Sequence, residues 1–272
     1  MKELLWERVG RQDEQLGVAA LLEWDCEIFG FPVAELRLSD NWEKAGAQGL
    51  EAWKQWCRER GVEVAVCTIT PSRRDASMWL QEAGWKFVDQ ALSGRLREIP
   101  AKVREKGAEG VREAREEEWG RVVEIAGTAF QAGRYHADPR FPRELANRRY
   151  RIWMERLRDG GSGADRVYVV EESGRVEGFF HGTLKGETAD LRLVAVEERA
   201  RELKLGYRLF HGSFHLLAKE GAREVVVKFS AANTPMMNTL ARFGFRFREP
   251  ELIHHWHKEA SEKRVQYNWK FP

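Results

Sequence analysis

Cysteine is scarce: Cys26, Cys57 and Cys67 are the only three in 272 residues. An odd count at wide spacing, with no C-x-x-C pair, excludes a disulfide framework. A dominant charge is missing too. Forty-five Lys and Arg stand against 43 Asp and Glu, for a formal net charge of +2, and the two signs are interleaved. That balance excludes a nucleic-acid footprint and reads as solvated helix faces. No apolar run approaches membrane-spanning length, so no membrane partner is expected. Charges break up the opening MKELLWERVG, so no signal peptide is expected. The expected setting is a reducing cytoplasm.

Apolar periodicity gives an α/β chain with a substantial core. Eleven tryptophans are scattered along it, mostly as core candidates. Val33–Leu38 alternates like a strand. Asn41–Arg60 reads as a helix with Leu50, Trp53, Trp56 and Cys57 on one stripe, ended by Gly61. Val62–Ile69 follows as a buried strand, then a short helix over Asp75–Ala83. Pro100–Gly110 is polar and aperiodic and reads as a linker. Beyond it come helices over Glu116–Phe130 and Arg143–Leu157, with a punctuated loop at Gln131–Pro142. A hairpin over Val167–Leu184 completes that part.

Leu191–Phe210 is the most telling stretch. It starts as an apolar strand and ends as a helix with Leu205, Leu209 and Leu216 on one stripe. A strand running into a helix start exposes backbone N–H groups and the positive end of the helix dipole, which suits an anion such as phosphate. An ordinary strand–helix connection is the alternative. A second regularity is internal. Val62–Phe87 and Arg223–Phe247 share one pattern: strand, polar loop, short helix, Gly-aromatic, strand. Each follows a helix ending in glycine, Gly61 or Gly221. The N-terminal segment therefore reads as an incomplete copy of the C-terminal half-fold.

The region from about Ala108 to His257 resembles the GCN5-related N-acetyltransferase (GNAT) family. Ala195-Val196 followed by Arg201 and Gly206 matches its cofactor signature, with Glu198 in place of proline and Lys204 in place of the first glycine. Asn233–Phe245 matches a second signature at Asn233, Gly244 and Phe245, with Leu240 where the family usually has tyrosine. Leu22–Phe31 (L-x-W-D-x-x-x-F-G-F) and Arg134–Pro139 (R-Y-H-x-D-P) bring the whole chain closest to sugar-nucleotide N-acetyltransferases of the TDP-fucosamine acetyltransferase type. The resemblance implies an α/β GNAT fold, with a mixed, mostly antiparallel sheet flanked by helices. It divides the chain into an incomplete GNAT-like domain over residues 1–105 and an acetyltransferase domain over 106–272.

The implied activity is an acetyl-CoA-dependent N-acetyltransferase acting on a primary amine, such as that of a nucleotide-linked amino sugar. Two alternatives remain at this point: a degenerate domain that binds acyl-CoA or a partner without efficient turnover, and a protein or peptide N-acetyltransferase. The resemblance assigns the cofactor to Val194, Ala195, Val196, Arg201, Glu202, Lys204, Leu205, Gly206, Tyr207 and Asn233. It places the acceptor at Arg134, Tyr135 and His136. A neutral amine needs a base, and the candidates are His136, Asp138, His181 and Glu187. Leu240 cannot protonate the departing thiolate, although thiols are acidic enough to leave without that help. His254, His255 and His257 look like a metal cluster, but strand alternation sends His254 away from the other two, so no metal is expected. A small-molecule acceptor is the expected partner, and a homodimer is compatible with the sequence.

Overall fold

The computed structural model describes residues 4–11 and 14–258, with 201–203 by backbone alone. The chain forms two compact units. One comprises residues up to 69, 73–87 and those from 254 onward; the other comprises 70–72 and 88–253.

In the first unit, β1 (Glu7–Arg11), β2 (Glu14–Leu21) and β3 (Val33–Leu38) run antiparallel in order. The sequence showed no strand before residue 33: β1 carries a single buried residue, Val9, and β2 buries Leu16 with Gly17 and Ala19 with Ala20, in adjacent pairs rather than alternately. A helix that periodicity also missed, α1 (Glu23–Phe29), sits between β2 and β3. Helix α2 (Gly46–Arg60) crosses over to β4 (Val64–Ile69), which is parallel to β3 over four positions, Val33–Leu36 opposite Val64–Cys67. Trp53 is fully buried on α2 and packs against Trp56 and Trp85, with ring centroids 5.6 and 5.5 Å away. Helix α3 (Arg74–Glu82) follows.

β5 (Lys86–Leu96) is one continuous strand, in the second unit from Val88 onward. The stretch read as a linker contains α4 (Ala101–Lys106), and Val103 is buried in the core. Then come β6 (Val111–Glu113), α5 (Trp119–Thr128), the single turn α6 (Arg134–Ala137) and α7 (Arg143–Gly160). Strands β7 (Asp165–Glu172), β8 (Arg175–Lys185) and β9 (Thr188–Val196) form an antiparallel meander. Helix α8 (Leu205–Lys219) crosses over to β10 (Glu224–Ser230), which is parallel to β9 and antiparallel to β5. Helix α9 (Thr234–Phe243), β11 (Arg246–Phe247) and β12 (Glu251–His257) complete the described chain.

The strand order β6-β7-β8-β9-β10-β5 is thus antiparallel except at β9–β10. One face packs against α8 through Phe180, Leu191, Val225, Leu209 and Phe214. The other packs against α5 and α7 through Phe179, Leu193, Val122 and Met154. Among the described residues no helix is long and apolar enough to cross a membrane.

Two helix ends share one geometry. Gly84 (φ +92°) and Gly244 (φ +94°) close α3 and α9 in the same left-handed conformation. In both, the residue after the glycine bonds back to a fully buried leucine: Trp85 N to Leu80 O at 2.9 Å, and Phe245 N to Leu240 O at 3.2 Å. This is a glycine-capped helix end repeated in sequence and geometry.

Candidate active site

The site is built on a mismatch between two parallel strands. β9 and β10 pair from Thr188 opposite Glu224 to Leu191 opposite Val227 and no further. β9 then continues to Val196 on β8 alone, and β10 to Ser230 on β5 alone. A bulge at this point explains the parting. His181 faces Leu193 and Gly182 faces Leu191, which leaves Arg192 as the extra residue. A bulge bends its strand and reverses which way the following side chains point. Leu191 accordingly faces the α8 core, while Leu193 and Ala195 face the α5–α7 core. Val194 and Val196 are half-buried along the parted edge.

The chain then turns through a 3-10 segment, Glu198–Leu203, into α8. Hydrogen bonds and ion pairs tie this turn to β8 and α5. Glu197 N donates to Glu177 O at 2.8 Å, Arg121 Nη2 lies 2.9 Å from Glu197 Oε1, and Arg199 pairs with buried Glu177. Lys204 takes the left-handed conformation (φ +57°) directly before α8, and no side chain caps that helix. The first bond into the helix is Arg208 N to Lys204 O at 3.4 Å. The amides of Leu205, Gly206 and Tyr207 precede that bond, in the first turn of the helix. A Cβ built on Gly206 would meet nothing within 4 Å, so the outer side of this turn is accessible. Tyr207 is 38% exposed and stacks on Phe243 at 5.1 Å. The assignments to Arg201 and Glu202 fall on side chains outside the described residues.

Two imidazoles occupy the α5–α7 side. His181 is 2% exposed, with Nε2 2.9 Å from Asp165 Oδ1 and Nδ1 without a partner among the described residues. Burial holds its pKa below the usual histidine range, partly opposed by Asp165. Asp165 itself is held below the usual carboxylate range: burial acts upward, but hydrogen bonds from His181 and Ser162 outweigh it. His136 is bound to Asn147 Oδ1 at 2.8 Å, and its Nδ1 is likewise buried without a partner. Burial lowers its pKa also. With Nε2–H donating in each case, both rings are neutral near pH 7 and present a lone pair at Nδ1.

The remaining candidates are placed differently. Asp138 is buried and doubly bonded by its neighbour, Oδ1 to Arg140 Nε at 3.0 Å and Oδ2 to Arg140 Nη2 at 3.1 Å. Glu187 lies on the β8–β9 turn, in an exposed pair with Arg223 at 3.0 Å. It is seven residues from Val194, about 20 Å along a strand. The structure does not bring it to the parted strands. Asn233 caps α9, its Oδ1 accepting from Met236 N at 3.2 Å. Leu240 is fully buried in the α8-side core. Tyr135 is buried and packs on Phe141, 4.7 Å between centroids, with Arg134 stacked 4.9 Å above its ring.

Four residues of this face escaped the sequence reading: Asp165, Asn147, Arg149 and Trp153. Only pairing register and helix packing bring them to the site. Arg192 was also missed, and the arginine interrupting the apolar run Leu191–Val196 was the one available signal for it.

Residues 121–245 match the Acetyltransferase (GNAT) family. No curated protein matches the chain. A GCN5-related N-acetyltransferase from Sphaerobacter thermophilus is similar in structure, with TM-score 0.62 and 15% identity over 89% of this chain and 77% of that one. So is a tandem GNAT protein from the clavulanic acid biosynthesis pathway, with TM-score 0.53 and 14% identity over 91% and 81%. A third is a GCN5-related glucosamine N-acetyltransferase region of a fungal multi-domain β-N-acetylglucosaminidase, with TM-score 0.58 and 14% identity over 89% of this chain and 31% of that one. At such identities the likeness establishes the fold, which is the GNAT fold. The family match and the structural likeness together support the GNAT acetyltransferase superfamily.

Proposed function

We propose that the chain is an N-acetyltransferase that carries an acetyl group from acetyl-CoA to a primary amine. The carrying observation is the parted β9–β10 edge beside an uncapped, glycine-bearing helix start. These features suit the two ends of the cofactor. The amides of Leu205, Gly206 and Tyr207, with the helix dipole and the Lys204 cation, would hold the pyrophosphate. Val194–Val196 offer unpaired backbone to the pantetheine arm, with Asn233 across the gap on the β10 side. Acetyl-CoA supplies an activated thioester when bound.

The chain's remaining tasks are to hold the amine and take its proton. His181 is the better-placed base. Asp165 fixes its tautomer and leaves the Nδ1 lone pair, and the ring sits opposite Leu193 beside the bulge. His136, the second neutral imidazole, lies in the acceptor loop with Arg134 and Tyr135. The finer assignment to a nucleotide-linked amino sugar rests on the motifs at Leu22–Phe31 and Arg134–Pro139. The glucosamine-acetylating neighbour agrees with an amino sugar in general.

The first unit is an incomplete GNAT-like copy that binds no cofactor. Its β3–β4 pair parts only two residues before each strand ends, against five and three in β9 and β10. Arg73 fills that end, with Nη2 2.6 Å from Ser39 O.

Calorimetry with acetyl-CoA and thiol release over a panel of amino sugars, amino acids and peptides test this reading. One cofactor bound per chain and thiol release with a small amine are expected. No binding at millimolar cofactor refutes it. Binding without turnover on any amine identifies the degenerate alternative, and turnover on peptides alone identifies the protein acetyltransferase.

A further inference from the structure

A buried carboxylate stands next to the turn that leads into α8. Glu177, on β8, is 5% exposed. Two arginines reach it. Arg199, in the 3-10 segment of the turn, pairs with Glu177 Oε1, and Arg121 Nη2, on α5, lies 3.8 Å from Oε2. Arg121 is fully engaged. Its Nη2 lies 2.9 Å from Glu197 Oε1, its Nη1 2.8 Å from Glu124 Oε2, and its Nε donates to Val176 O at 3.2 Å. The backbone follows the charges. Glu197 N donates to Glu177 O at 2.8 Å and Ala200 N to Glu197 O at 3.0 Å, with Ala200 sunk in the α8-side core. Residues 197–200 are thus fixed to β8 and α5 shortly before the first turn of α8.

Stability alone is a poor reason for this arrangement. The strand neighbours Val176 and Phe179 lie in the α5–α7 core. Removing a carboxylate from water is costly, and a buried ion pair adds little net stability over apolar groups of the same volume. What such a pair does fix is geometry, because the guanidinium fork meets a carboxylate in few orientations. The sign of the charge gives a second reason. Glu177 and Glu197 are negative groups beside a turn read as a phosphate site, where on charge alone they would repel the ligand. Carboxylates in that place act through the arginines and the backbone that they hold.

We propose that Glu177, with Arg121 and Arg199, is a positioning residue for the cofactor's phosphates: the buried carboxylate holds the β9–α8 turn so that the amides of Leu205, Gly206 and Tyr207 face the pyrophosphate. This rests on the acetyltransferase reading and adds three residues to it. None of the three touches the ligand. Arg199 is committed to Glu177, and Lys204 is the cation offered to the phosphates. β8 also carries His181, so the bracket refers the phosphate turn to the strand that bears the proposed base.

Charge and position predict opposite signs at Glu177. Calorimetry of the full chain with CoA at low salt compares the parent with Glu177→Gln, which keeps the shape of the side chain and removes its negative charge. Charge alone makes the variant bind CoA tighter. Positioning makes it bind weaker, by about fivefold or more. Hydrogen exchange reads the turn directly: faster exchange over residues 198–207 is expected in the CoA-free variant, with α7 unchanged. Arg199→Ala is the second arm, at a side chain 57% exposed and therefore safe for folding. It is expected to weaken CoA binding as well, and Arg199→Lys to recover part of the loss. The double variant Glu177→Gln/Arg199→Ala should be no weaker than the worse single one, since both break the same bracket. Unchanged or tighter CoA binding by Glu177→Gln overturns the proposal, as do additive losses in the double variant. Should Glu177→Gln fail to fold, Arg199→Ala decides, and its undiminished CoA affinity overturns the proposal. Failure of the parent chain to bind CoA refutes the acetyltransferase reading instead, so the two failures are distinct.

Discussion

Lys204 joins backbone strain and ligand charge in one residue, and two substitutions separate them. It sits at φ +57° and ψ 17° with its side chain exposed. An L-residue in that conformation costs about 1–2 kcal/mol. Glycine escapes the cost but loses about 0.5–1 kcal/mol to the greater freedom of its unfolded chain. Lys204→Ala keeps the strain and drops the charge; Lys204→Gly drops both. The glycine variant should therefore be more stable than the alanine variant by roughly 0.5–1 kcal/mol. For a chain of this size that is a rise in melting temperature of about 1–4 °C. Thermal and urea unfolding of both proteins measure it. Both variants should bind CoA more weakly than the parent by a similar factor, roughly 1.5- to 5-fold at low salt. The deficit should shrink as ionic strength rises. An alanine variant as stable as the glycine variant refutes the strain argument. Unchanged CoA affinity of the alanine variant at low salt refutes the placement of the cation beside the phosphates.

Burial holds the His181 pKa below the unfolded value near 6.5, so the unfolded chain takes up this proton first as pH falls. Stability present above pH 6.5 is then lost between 6.5 and the folded pKa, by up to about 1.4 kcal/mol per pH unit, and His181→Gln should flatten that slope in urea titrations from pH 7.5 to 5.5. An unchanged slope refutes the buried, neutral ring. Leu240→Tyr restores the family's usual residue, but the position is fully buried. Overpacking should cost about 1–3 kcal/mol of stability without raising turnover, and a gain in kcat would refute it.

The fold was legible where periodicity and caps agree. Leu191–Phe210 shows both its strand and its helix in sequence, and Gly61, Gly84, Gly221 and Gly244 mark helix ends that the structure closes with positive φ. The N-terminal strands were not legible, because β1 has one buried residue in five and β2 buries its residues in adjacent pairs, so neither shows an alternation to read. The Pro100–Gly110 segment misled because a six-residue helix anchored by one buried valine has no period to detect. The surroundings of His181 were hidden for another reason. Asp165 reaches His181 only through strand pairing, and Trp153 reaches it only through the packing of α7.

Leu240 shows how local pattern and packing can point in different directions. Beside the family signature it looks like a catalytic acid that has been lost. The same helix-end geometry holds Leu80 of α3, equally buried and bonded through its carbonyl to the residue after a left-handed glycine. The shared geometry gives Leu240 a packing role at this helix end. A side chain enclosed in the core cannot reach a leaving group. A free thiol, with a pKa near 8.5, needs little help to leave as the thiolate near neutral pH. On the acetyltransferase reading, the stringent demand then falls on the other side of the reaction, where an ammonium must lose its proton, and the proposed base for it is His181, held by Asp165.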